Sequence, residues 1–235
     1  MSYERLDPHR VVETIRKLSQ RIQERFPGAG LGQVCQHLLT VGEHARRRSD
    51  WIARPVWWLR AVIAMLMLAA VPAMGVSLLA VKLPNGRIEL VDFAQFLESG
   101  INDLIFLGAG IFFLVTAERR IKRRRALKAI DELRALAHII DMHQLSKNPE
   151  RVQHRDKATA SSPRYQMSYF ELGRYLDYCT EMLSLTGKIA ALLVQRFDDP
   201  VALEAASDVE NLTTGLSRKI WQKILSLHSL EESGG

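Results

Sequence analysis

Cysteine is almost missing from this 235-residue chain, with only Cys35 and Cys179 present. Two thiols cannot build a disulfide framework, nor a four-ligand zinc site by themselves. Also missing are the short motifs on which common chemistries depend: there is no GxxxxGK[ST] phosphate loop and no HExxH, GxSxG or CxxC. Gly28-Ala29-Gly30-Leu31-Gly32 lacks the GxGxxG spacing and follows no strand-like run, so it reads as a loose turn between helices. No strand pattern persists for more than about five residues, and no internal repeat is evident. A chain of helices alone also lacks the sheet-end crevice where nucleotides usually sit. These absences point away from an enzyme and from a bound cofactor.

What is present is unevenly spread. A composition 47% hydrophobic and 25% charged excludes a disordered or collagen-like chain. Lys and Arg outnumber Asp and Glu by 32 to 26, giving a net charge of +6, which raises nucleic acid as a partner. The mean hydropathy of -0.05 averages strongly polar segments with two strongly apolar ones.

The first apolar segment, Ala61 to Val81, holds 21 consecutive uncharged residues. At ~1.5 Å per residue, about 20 residues span the hydrocarbon core of a bilayer. Trp57 and Trp58 precede the run at the level favoured by amphipathic indoles. Arg60 can snorkel outward at that end, and Lys82 caps the other. Pro72 with Gly75 predicts a kink. The second run, Leu104 to Ala117, is 14 uncharged residues, extended to 17 by adding Ile101, Asn102 and the charged Asp103. It is apolar all round and is followed by Arg119, Arg120, Lys122, Arg123, Arg124 and Arg125, whose basic stems reach back to headgroup phosphates. A buried core helix rivals a span for the first run, and a re-entrant or interfacial helix for the second. Gly108 and Gly110 do not form GxxxG.

Arg46, Arg47, Arg48 and Arg54 precede the first run, whereas the Lys82–Gly100 connection has only Lys82 and Arg87 against Glu89, Asp92 and Glu98. The positive-inside rule therefore places both termini in the cytoplasm of the cell (inner) membrane and the connection outside. A basic cluster beside a span is a topology signal and a contact for anionic lipid, so no nucleic acid is expected. The first 50 residues are polar and amphipathic; no signal peptide is expected, and the first span serves as an uncleaved anchor. Cys35 and Cys179 would then lie in a reducing compartment as small core residues.

The predicted architecture is all-α: a two-span transmembrane hairpin with a cytoplasmic helix bundle built from N- and C-terminal helices. An N-terminal helical hairpin covers 1–54. Asp7-Pro8 opens its first helix, with Val11 or Val12, Ile15, Leu18, Ile22 and Phe26 as the apolar stripe. Its second helix carries Leu31, Val34, Leu38, Val41 and Ala45. The first span covers 55–82, a short external loop 83–100 and the second span 101–117. In the loop, Pro84-Asn85-Gly86 reads as a turn before a brief alternation, Arg87 to Leu90, and Asp92 caps a short helix, Phe93–Glu98.

A cytoplasmic helix over 118–145 continues the second span, so it would transmit tilt or rotation. Its buried stripe is Ala126, Ile130, Leu133, Leu136, Ala137 and Ile140. A mobile linker, 146–167, includes Ser162-Pro163. The C-terminal helical hairpin, 168–235, opens on a capping box, Ser168 to Glu171. Its first helix bears Leu172, Leu176, Cys179, Leu183, Ala190, Leu193 and Phe197. Asp198-Asp199-Pro200 starts the last helix, with Val209, Leu212, Leu216, Ile220, Ile224 and Leu227.

The most interesting polar cluster is Asp131, Arg134, His138 and Asp141, which step by three, four and three residues and so form one helical stripe. His143 falls on the opposite, apolar side as a hydrogen-bonded core or rim residue, so the two histidines cannot share a metal within one helix. His138 with Asp141 has metal-ligand spacing, yet needs ligands from partner helices, and Arg134 repels a cation. An ion-paired stripe is preferred to a metal site or a proton-sensitive switch. His37, Glu43 and His44 read as a solvated face. Tyr165, Tyr169, Tyr175 and Tyr178 gather near Arg164 and Arg174, either as a partner patch or as core bodies with hydroxyls at the rim.

The function read from this pattern is a non-enzymatic scaffold at the inner membrane face that docks an unknown protein partner or assembles into a homo-oligomer. One alternative is an oligomeric two-span pore in which Pro72, Ser77, Asn102 and Thr116 face water. Another is a membrane-anchored enzyme using the Asp131–His143 helix.

Overall fold

The computed structural model describes residues 6–80, 90–147, 149 and 167–233. Lys82, the turn at Pro84-Asn85-Gly86 and the alternation after it lie outside the described residues, as do Ser162-Pro163, Arg164, Tyr165 and nearly all of the linker. Every regular element described is an α-helix: α1 Pro8–Arg25, α2 Gly30–Ala53, α3 Trp57–Ala80, α4 Leu90–Leu145, α5 Tyr169–Val194 and α6 Pro200–Ser233. They form two compact units, one of Met1–Ala53 with Arg123–Gly235, the other of Arg54–Lys122.

The first unit is a helix bundle. Helix α1 starts where Asp7 accepts the His9 N–H at 2.9 Å and Pro8 fills the first turn. It buries Val11, Ile15, Leu18 and Ile22. The chain then reverses through Gly28, whose φ of 76° lies in the left-handed region that glycine enters without steric cost. Helix α2 returns antiparallel to α1 with Leu31, Val34, Cys35, Leu38, Val41 and Ala45 buried. The two helices cross closely at Gly42, where an added Cβ would come within 3.0 Å of Ile15 Cδ1.

Helix α5 is the centre of the bundle, packing against α1, α2 and α6. Ser168 and Glu171 form the capping box that opens it. The sequence stripe understates its burial: Tyr175, Tyr178, Met182, Leu185, Ile189 and Leu192 are buried as well. Fully burying an aliphatic side chain stabilises by roughly 1.5–3 kcal/mol, so this helix carries a large share of the core. Helix α4 adds Ala126, Ile130, Leu133, Leu136, Ala137 and Ile140, and α6 adds Val209, Leu216, Ile220, Ile224 and Leu227 to the same core.

Asp199 joins α5 to α6. Its carboxylate accepts the Ala202 N–H at 3.1 Å and is gripped by Arg123, Nε at 2.9 Å and Nη2 at 2.8 Å. At the same pole Arg125 donates to the Trp51 carbonyl at 3.3 Å and lies over its ring. Arg48 pairs with Glu132 there, and Arg196 with Asp50.

The second unit holds α3 and α4 as far as Lys122. Two helical stretches, within Gly30–Ala69 and Gly100–Leu145, are long and apolar enough to cross a membrane. Helix α3 continues through Pro72. The short helix expected over Phe93–Glu98 is instead the beginning of α4, which runs on through Gly100. A lone helical glycine costs only about 1 kcal/mol relative to alanine and ends a helix mainly when it adopts positive φ, as Gly28 does and Gly100 does not.

Candidate functional site

The four stripe residues of α4 do not converge. Arg134 lies 3.8 Å from Asp131 and 3.7 Å from Asp208 of α6, a loose ion-paired triad at the surface. His138 is exposed. Asp141 belongs to a different group, two turns further along. Among the described residues no set of three or more His, Cys, Asp or Glu side chains comes together to hold a metal.

That second group was not visible in the sequence. Gln144 sits four residues beyond Ile140 on the buried face of α4 and is 2% exposed. Its amide nitrogen donates to Asp141 Oδ1 at 2.6 Å. Lys223 of α6 donates to Gln144 Oε1 at 2.6 Å and to its backbone carbonyl at 3.0 Å. A cation on a last-turn carbonyl suits the negative end of the α4 dipole. Burial pulls the Lys223 ammonium below the usual lysine range, against the upward pull of Asp141 and Cys179. Lys147, over the Tyr175 ring at 5.0 Å, is likewise pulled down by burial.

Behind this group, burial pushes the Cys179 thiol up to about 12 despite the nearby Lys147 and Lys223. Cys35 is pushed up to about 12 for the same reason, although Ser19 works against it. Both thiols are protonated at neutral pH and make poor nucleophiles. The sequence signal that could have found the network is a polar residue, Gln144, on an otherwise apolar stripe.

His143 is half-buried and lies against Gly30, where an added Cβ would meet its Cε1 at 2.7 Å. Tyr175 Oη donates to the His143 carbonyl at 3.5 Å. Tyr175 and Tyr178 are core residues, meeting Phe26 edge-on at 5.5 and 6.2 Å. Arg174 lies 5.1 Å over Tyr178 and pairs with Asp177 at 3.0 Å. His37 is exposed, and Glu43 accepts from Arg16 at 2.9 Å.

The basic residues flanking the apolar helices divide into two kinds. Trp57 and Trp58 are 74% and 64% exposed, and Arg119, Arg120 and Arg124 are also exposed. By contrast, Arg60 and Lys122 converge on Glu118, at 3.3 and 2.9 Å. Arg123 and Arg125 are held by Asp199 and by Trp51 within the bundle. No family model, curated protein or solved structure matches the chain.

Proposed function

We propose that this chain is an integral membrane protein whose two apolar helices cross a bilayer as a hairpin. Both termini lie on the cytoplasmic side, and the bundle acts there as a non-enzymatic scaffold for a protein partner or a second copy. The observation that carries the reading is the exposure of large apolar side chains on α3 and α4. Leu68, Phe106, Phe112 and Phe113 are 76, 77, 74 and 69% exposed. Apolar surface left in water costs roughly 25 cal/mol per Å², and a continuous belt of it marks contact with lipid or another protein. A core helix of a soluble protein would bury these side chains.

Two neighbour relationships support one-sided termini, each within its own unit. Trp51, before the chain leaves the bundle, touches Arg125, just after it returns. Arg60, at the start of α3, meets Glu118. The excess of Arg before α3 and after Ala117 supports the cytoplasmic side and contact with anionic headgroups. On the bundle, Trp221 and Leu225 expose apolar surface one turn apart on α6, a foothold for a partner.

Extraction and reporter fusions test the reading. The full-length chain should stay with membranes in alkaline carbonate and leave them in detergent. Reporters at both termini should signal the cytoplasm, and one inserted in 82–100 the opposite side. Light scattering in detergent, with co-purification from native membranes, should then recover a partner or a homo-oligomer. A chain found in the supernatant without detergent, or termini on opposite sides, would overturn it.

A further inference from the structure

The first turn of α1, the last turns of α2 and the C-terminal end of α5 enclose a cleft of about 280 Å³. It lies in the bundle, at the pole where Trp51 meets Arg125 and the chain departs after Ala53 and returns at Arg123. Its walls include His9, Arg46, Ser49, Asp50, Gln195 and Arg196.

These polar groups differ in what remains free. Asp50 is engaged by Arg196. The Asp7 carboxylate takes the His9 N–H at 2.9 Å and lies 3.9 Å from Arg10. Arg46 has no carboxylate partner among the described residues. Its Nη1 donates instead to His9 Nε2 at 3.2 Å. Arg46 is thus the one cation of the lining that no carboxylate of the described residues engages, with Asp7 on the same wall. Ser49 is 7% exposed. Among the described residues, sealed side-chain polar atoms all have partners, so its hydroxyl, which no described residue hydrogen-bonds, opens into the cleft.

A guanidinium, a hydroxyl and the Gln195 amide around one small space form a donor set for a single oxyanion. The volume lies at the small end of the roughly 300–1,000 Å³ of pockets for drug-sized ligands and cofactors, which suits a headgroup-sized anion. The charge selects further. A phosphate monoester carries about −1.5 to −2 near neutral pH, whereas a phosphodiester carries a single charge, the most that one unengaged guanidinium beside Asp7 can offset.

We propose that this cleft binds a singly charged phosphate group, with Arg46 as its charged anchor and Ser49 as a second donor. A phospholipid headgroup and doubly protonated inorganic phosphate, each a monoanion, offer the same chemistry from two sources. The headgroup source rests on the membrane reading above, while the phosphate site itself does not.

Titration calorimetry on the full-length protein in uncharged detergent at slightly acid pH separates these sources, with dihexanoyl phosphatidylglycerol and inorganic phosphate as probes. One saturable site is expected. Arg46→Gln should weaken it at least tenfold and Ser49→Ala about threefold. Arg47→Gln, which removes an equal charge from an exposed neighbour outside the cleft, should change it less than twofold. Tighter binding of the lipid identifies a headgroup site, and tighter binding of inorganic phosphate identifies a soluble anion; either order upholds the cleft. If Arg46→Gln does not fold, Arg46→Lys keeps the charge without the planar fork and should give an intermediate loss. Absence of saturable binding by both probes, or equal losses from Arg46→Gln and Arg47→Gln, would overturn the proposal. A chain that needs no detergent yet binds phosphate through Arg46 would refute only the headgroup source.

Discussion

Arg60 and Glu118 meet between the two apolar helices, with guanidinium Nε and Nη2 each 3.3 Å from a carboxylate oxygen. Lys122 reaches the same carboxylate at 2.9 Å from one turn further along α4. The beginning of the α3 apolar run is thereby tied to the end of the α4 run, as an antiparallel hairpin requires. Arg60 is half exposed, which limits such a pair to about 0.5–1 kcal/mol. Arg60→Glu should destabilise the protein by more than this, since it sets two carboxylates together. Glu118→Arg should do the same by gathering three cations. The double reversal should recover most of the loss in thermal unfolding in detergent. Additive losses would show that the two side chains do not interact.

Acid should act on the bundle through Asp199. The Arg123 hydrogen bonds hold its carboxyl below the usual aspartate range, with burial opposing and the Ala202 N–H assisting. A carboxyl depressed in the folded state contributes its full stability above the unfolded value, about 4. That contribution is lost as the pH falls through the folded value. Asp199→Asn should cost about 1–2 kcal/mol at neutral pH, by weakening a cap and removing a buried charge partner. Its melting temperature should fall less steeply than the wild type's below about pH 4. Parallel acid profiles would refute the role of Asp199.

Lys223→Met should destabilise by about 1–3 kcal/mol, because it strips Gln144, nearly sealed from solvent, of the donor to its amide oxygen. Gln144→Leu combined with Lys223→Met replaces both partners with apolar groups and should recover most of the loss in denaturant titration. Burial holds the folded ammonium below the usual lysine range. Its protonation therefore opposes folding, and this opposition fades as the pH rises through the folded value.

Both thiols should be silent in the folded protein. Burial raises each to about 12, so the stability they contribute is complete below the ordinary thiol range and is lost as the pH climbs towards that value. Mass spectrometry after maleimide treatment near neutral pH should count no label on the native chain and two on the unfolded one. Rapid native labelling of Cys179 would contradict its enclosure.

The helices and their faces were largely legible in the sequence because local chemistry decides them. Asp7-Pro8 and Ser168-x-x-Glu171 carry their own capping instructions, and both caps form. Leu31, Val34, Leu38, Val41 and Ala45 recur at helical spacing, and all are buried. Partner choice was not legible. Tyr175, Tyr178 and Ile189 lie off the expected α5 stripe, and their burial follows from three neighbouring helices that periodicity cannot name. The same gap hid the Gln144 network, since Lys223 comes from a helix whose pairing the sequence does not specify. The stripe expected from Asp131 to Asp141 does not gather into one site, since Arg134 pairs with Asp208 while Asp141 accepts from Gln144. Gly100, placed at the end of the external loop, lies inside α4.

The central position of α5 has a consequence for biosynthesis. Helices α1 and α2 lean on a segment that begins at Tyr169, long after Ala53 has left the ribosome. At about 5–20 residues per second, their apolar faces wait on the order of ten seconds for the helix that covers them. During that interval the nascent amino-terminal hairpin is a client for chaperones, and a ribosome stalled before Val194 would release a chain whose core cannot close.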